Sequence, residues 1–94
     1  MQSELFEWDD EKAVYNLREH EVNFEEAKTV FEDLFAITIP DDLHSEDEDR
    51  SIILGLSLLA RVLLVVYTER RERIRIISAR KATPSERSQY ESGL

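Results

Sequence analysis

The sequence predicts an α+β fold: an antiparallel sheet of about four or five strands with two helices near its start and one at its end, in the order β-α-α-β-β-β-β-α. Three observations predict it. Residues 51–79 contain three runs rich in Ile, Leu and Val joined by short links, the pattern of an antiparallel meander. Residues 9–34 carry apolar positions at helical spacing behind two polar helix starts. Thr83-Pro84-Ser85-Glu86 is a third start, with a threonine cap, proline in the first turn and a glutamate that closes the box. A chain of 94 residues has room for one hydrophobic core, so a single domain over 1–94 is expected.

Each element has its own justification. Leu5-Phe6-Glu7-Trp8 is short and aromatic, a first strand that ends in an acidic pair suited to capping a helix at Asp9 or Asp10. Along that helix Ala13, Leu17 and Val14 mark the apolar face, whereas Lys12, Asn16 and His20 recur every four residues on a polar stripe that could face solvent or a ligand. The helix should stop near His20, yet Glu21 stands where a glycine would suit a left-handed cap. Asn23-Phe24-Glu25-Glu26 is a capping-box pattern, and Phe24, Ala27, Val30, Phe31 and Leu34 form the next apolar stripe. Phe35 to Ile39 is β-prone and stops at Pro40. Ser51–Leu58, Val62–Thr68 and Arg73–Ala79 complete the sheet, and the last helix runs through Tyr90.

Charge is segregated along the chain. Residues 1–50 sum to −13, whereas residues 61–87 hold eight basic residues against three acidic ones. A net charge of −9 would exclude nucleic-acid binding only if it were spread evenly; a local basic face can still meet phosphates, and the acidic half can attract a basic protein. Alternation places Arg73 and Arg75 on one side of a strand and Ile74 and Ile76 in the core, while Arg80 falls on the other side and serves the core unless a bulge or strand end near Ser78 re-aims it.

Several classes are disfavoured. No cysteine occurs, so thiol chemistry and disulfides are absent and a reducing cytoplasm is the expected location. The N-terminus lacks the basic and apolar regions of a signal peptide, and the longest apolar stretch is interrupted by Gly55, Ser57 and Arg61, so no membrane span is expected. The acidic run 41–49 with His44 lacks the spacing of a calcium loop and reads as a solvated loop; neither metal nor cofactor is expected.

Certain residues carry more than a composition: Phe6-Glu7-Trp8-Asp9 with Lys12, Asn16 and His20; Phe24-Glu25-Glu26-Ala27 with Val30-Phe31; Arg50 and Gly55; and Ile74-Arg75-Ile76-Ile77-Ser78-Ala79-Arg80-Lys81-Ala82 with Glu86 and Tyr90. Together they closely resemble the BrnT family of bacterial toxins, most specifically at Arg75–Thr83 and in the opening FEWD. The resemblance implies a RelE-like ribonuclease fold, RNA cleavage that arrests growth by blocking translation, and an antitoxin encoded beside the toxin. That antitoxin would be a ribbon-helix-helix protein that links the hetero-oligomer to operator DNA. Glu21 and Arg71-Glu72 depart from the family's glycines.

Metal-free RNA cleavage by the ribose 2′-oxygen needs a proton acceptor, cations around the phosphate and an acid for the leaving oxygen. Guanidinium forks suit the phosphate, which makes Arg73, Arg75 and Arg80 the catalytic candidates and Arg70 and Lys81 further phosphate ligands. Proton carriers are sought among His20, Lys12 and Glu69, since an imidazole titrates near neutrality and a lysine serves only when neighbouring cations favour its neutral form. The alternatives are a surface ion-pair array on a non-catalytic binding module and a degenerate toxin retained as co-repressor.

Overall fold

The computed structural model describes residues 5–40 and 49–94. The element order is β1 (Phe6–Glu7), α1 (Asp10–His20), α2 (Phe24–Thr29), β2 (Ile37–Pro40), β3 (Arg50–Leu56), β4 (Val62–Arg70), β5 (Arg73–Lys81) and α3 (Pro84–Glu91), with a 3-10 turn at Val30–Glu32 after α2. One five-stranded sheet runs β1-β5-β4-β3-β2. The expected α+β order is present, and β2 to β5 form the antiparallel meander; β1 lies parallel to β5, so the sheet is mixed. The acidic run 41–48 lies outside the described residues. Among the described residues no helix is long and apolar enough to cross a membrane.

The core lies between the sheet and the first two helices. Leu63, Val65, Tyr67, Ile53, Ile76 and Ala79 of the strands meet Val22, Phe24, Ala27 and Val30. Aromatic edges bind the layers: Phe31 stands 5.2 Å from Phe6 and 4.9 Å from Tyr67, and Trp8 stands 5.7 Å from Phe24. The last helix lies against β3, and the hydroxyl of its buried Tyr90 donates to Asp33 at 2.6 Å. Burial pushes the Tyr90 hydroxyl up to about 12, and the Asp33 charge adds to the shift.

The helix starts follow their capping chemistry, with one exchange of roles. Asp9 caps α1 by accepting the Glu11 and Lys12 amides at 2.8 and 3.2 Å, and those bonds hold its carboxyl below its ordinary value. Thr83 and Glu86 close a complete capping box on α3. Asn23 accepts the Glu26 amide at 2.7 Å, but Glu26 does not reach back. Instead its buried carboxylate takes the Arg61 guanidinium and the Ser57 hydroxyl, so a residue that resembled half of a cap is the anchor of the β3–β4 turn. The Arg61 hydrogen bonds hold the Glu26 carboxyl low against its burial.

Of the apolar face expected for α1, Ala13 packs against the core but Val14 and Leu17 do not; Asn16 of the polar stripe takes the inward position, while Lys12 and His20 stay exposed. Asn16 is 3% exposed, whereas Val14 is 64% and Leu17 50% exposed. The Asn16 amide donates to the Val22 carbonyl at 2.9 Å and the Ala79 carbonyl at 2.8 Å, and accepts the Ala79 amide at 3.1 Å. Beyond Arg75 the two-residue β1 no longer covers the edge of β5, and Asn16 satisfies backbone groups that a longer strand would have paired. The Asn16 hydrogen bonds and the packing of Ala13 together set the rotation of this helix. Leu34 likewise leaves the expected stripe, at 95% exposed, because the 3-10 turn breaks the helical period after Val30.

Positive φ angles fall where glycines were wanting. Glu21 has φ 59° and donates its amide to the Leu17 carbonyl, a left-handed cap made without glycine. Arg71 and Glu72, at φ 50° and 67°, turn the β4–β5 hairpin with both central residues left-handed, the requirement of a type I′ turn.

Candidate active site

The bulge in β5 decides which arginines share a face. Val66 pairs with Ser78 and Tyr67 with Ile76, so Ile77 has no residue opposite it. Ile76 and Ala79, three residues apart, are both buried in the core. Their neighbours Arg75 and Arg80 therefore lie together on the other side of the sheet, which a regular strand would forbid.

At the end of β5 the chain forms an open cleft of about 460 Å³ lined by Glu19, His20 and Glu21 from the end of α1 and by Arg80, Lys81 and Thr83. Local structure explains the meeting. The Asn16 bonds bring the last turn of α1 against Ala79, one residue before Arg80. The left-handed Glu21 then turns the chain away, leaving His20 exposed at the helix end. Lys81 lies 3.9 Å from the Glu21 carboxylate, an exposed and loose pair.

Arg80 is held by a fork. Its two terminal nitrogens donate to both Glu86 oxygens at 2.8 and 2.9 Å, and Nη1 also meets the Lys81 carbonyl at 3.3 Å. The Arg80 hydrogen bonds pull the Glu86 carboxyl down to about 2, and the pair raises the Arg80 guanidinium in turn. Five N–H groups less those three bonds leave Nε–H and one Nη2–H for another acceptor. Glu86 thus fixes the guanidinium plane and partly neutralises it.

The other sequence candidates lie elsewhere. Arg75 donates to Glu7 at 3.0 Å, across the parallel β1–β5 pairing. Lys12 and Arg75 both act on the Asp9 carboxylate, which places them about the start of α1 rather than in the cleft. Glu69 and Arg70 are exposed near the hairpin end, with Arg70 opposite Arg73 in register. So the structure brings together His20, Arg80 and Lys81 and separates them from Lys12, Glu69, Arg70, Arg73 and Arg75. Sequence reasoning missed Glu19, Glu21 and Thr83 as cleft residues; the only signal was their adjacency to His20 and Lys81. Among the described residues no group of three or more His, Asp or Glu side chains is placed to hold a metal.

Fold and cleft together define a small α+β protein with an imidazole, a guanidinium and an ammonium group converging at the end of its longest hairpin. The chain matches the family of "Ribonuclease toxin, BrnT, of type II toxin-antitoxin system" over residues 8–86, and it belongs to that family. A crystal structure of the Brucella abortus ribonuclease toxin BrnT has a similar fold, with a TM-score of 0.65 at 20% identity, covering 84% of this chain and 97% of that one. No curated protein matches the chain.

Proposed function

We propose that this chain is a single-domain endoribonuclease toxin that cleaves RNA in the cytoplasm without a metal ion and thereby inhibits translation. The observation that carries the reading is the convergence of His20, Arg80 and Lys81 on one open cleft. The ribose 2′-hydroxyl loses its proton and its oxygen attacks phosphorus; the P–O5′ bond breaks and the 5′-oxygen takes a proton. The products are a 2′,3′-cyclic phosphate and a 5′-hydroxyl. Arg80 and Lys81 hold the phosphate oxygens as charge grows on them, with the remaining Arg80 donors aimed at one phosphate. His20 carries one of the protons, and the Glu19 and Glu21 carboxylates at the rim are the nearest further carriers. Arg75 shares the outer face of β5 with Arg80, and it guides the RNA strand together with Arg73 and Arg70.

The toxin's activity is contained by a ribbon-helix-helix antitoxin encoded beside it, which also ties the complex to operator DNA. A second reading, a non-catalytic binding module or co-repressor, is favoured by one feature: Glu86 already occupies two donors of Arg80. End-labelled RNA incubated with the purified toxin in chelator separates them. Cyclic-phosphate ends that disappear with His20→Ala support the enzyme, whereas binding without breakage sinks it.

A further inference from the structure

We propose that the outward face of α1 docks the antitoxin through an amphipathic segment whose apolar stripe is flanked by Lys and Arg. The proposal rests on the reading of this chain as the toxin of an antitoxin pair. Because the Asn16 bonds turn that residue toward the sheet, Val14 and Leu17 face outward, and among the described residues they stay 64% and 50% exposed. Beside them Trp8, Ala13 and Phe24 floor a shallow groove of about 300 Å³, rimmed by Glu25. Scattered apolar residues on a surface are ordinary; an apolar stripe continuous with an apolar groove is the geometry that takes a partner helix at i, i+3 and i+4 spacing.

Charge specifies the occupant. Asp10, Val14 and Leu17 follow one another on α1 at steps of four and three residues, and Glu21 caps the helix by donating its amide to the Leu17 carbonyl, so an acid stands at each end of the apolar pair. A third acid, Glu25, lines the same groove. Residues 5–40 carry ten acidic and three basic side chains, a field that steers a basic segment toward this face. Leu34 and Leu58, 95% and 78% exposed and outside α1, serve as the control. The stripe on α1 runs into His20 and Glu21, which line the cleft, so a segment lying along it ends over the catalytic groups. Docking and inhibition are then one event.

The test uses the protein encoded by the adjoining reading frame, titrated calorimetrically into wild type, Val14→Ser/Leu17→Ser, Glu25→Lys and Leu34→Ser/Leu58→Ser, at low and high salt. The expected result is at least a tenfold loss of affinity for the α1 double variant, a smaller loss for Glu25→Lys and wild-type affinity for the control. Binding to wild type weakens as salt rises, and RNA cleavage by the free α1 variants is unchanged. Undiminished binding by the α1 double variant overturns the proposal, as does affinity lost only in the control pair. Sedimentation showing that wild type self-associates through α1, with Val14→Ser/Leu17→Ser monomeric, overturns it as well. If no preparation cleaves RNA, the catalytic reading falls while the calorimetry still decides the docking face.

Discussion

Asn16 and Ala79, 63 positions apart, exchange a reciprocal pair of hydrogen bonds: the Asn16 amide donates to the Ala79 carbonyl at 2.8 Å and accepts the Ala79 amide at 3.1 Å. This contact seats the end of α1 on β5 and so brings His20 to Arg80. Asn16→Ala leaves both Ala79 groups and the Val22 carbonyl buried without partners, at a cost of about 2–4 kcal/mol. Urea unfolding is expected to show a lower midpoint with little change in slope. A stability loss below about 0.5 kcal/mol would show that water replaces the amide.

Catalysis and substrate guidance should separate kinetically. His20→Ala is expected to lower kcat by about 10²–10⁴ with KM nearly unchanged, since it removes the proposed proton carrier. Arg75→Ala is expected to raise KM more than it lowers kcat, because Arg75 lies along the same strand face and outside the cleft. Equal losses of kcat in the two variants would place Arg75 at the reacting phosphate.

Acid should loosen the joint between β5 and α3. The Glu86 carboxyl is held at about 2 in the fold, against an ordinary value of 4.5, chiefly by Arg80. Because the folded value is depressed, the unfolded chain binds the proton first. The stabilisation is complete above about 4.5 and is lost as pH falls toward 2. Thermal melts across that window should fall less steeply for Glu86→Gln than for wild type. Parallel slopes would show that the pair is screened to insignificance.

The β4–β5 turn stores strain that can be relieved. Arg71 and Glu72 are both left-handed, so Arg71→Asn with Glu72→Gly should stabilise the protein by about 1–2 kcal/mol, measured by chemical unfolding. The opposite sign would mean that the two charges support the native hairpin.

Gly55 is constrained by space rather than by its backbone angle. A Cβ there would stand 3.0 Å from both Ala36 Cβ and Val30 Cγ1, with Asp33 Oδ2 at 3.1 Å. Asp33 cannot retreat freely, since it accepts the Leu56 amide at 2.8 Å and the Tyr90 hydroxyl. Gly55→Ala is expected to cost about 1–3 kcal/mol in thermal or urea unfolding; a neutral variant would show that Val30 repacks at no cost.

Much of the fold is legible in short-range chemistry. The threonine cap of α3, the end of α1 at His20 and the meander from β3 to β5 are each written within a few residues, because capping and alternation are local rules. The parallel pairing of β1 was not legible, since a two-residue strand carries no directional signal and takes its partner from the helix that follows. Glu26 misled for a related reason: its spacing from Asn23 is that of a capping box, and the Arg61 that claims its buried carboxylate lies 35 residues away.

For the candidate site the division is sharper. The basic face, the residue types suited to phosphate and proton transfer, and the family resemblance all come from the order of amino acids. Which of those residues meet was decided by two tertiary events, the bulge at Ile77 and the Asn16 clasp on Ala79. The bulge changes the parity of a strand, and the clasp turns Asn16 toward the sheet while Val14 and Leu17 stay exposed. Both depend on backbone groups distant in the chain competing for partners, so the alternation of side chains could pose a bulge near Ser78 as a condition for Arg80 but could not decide it.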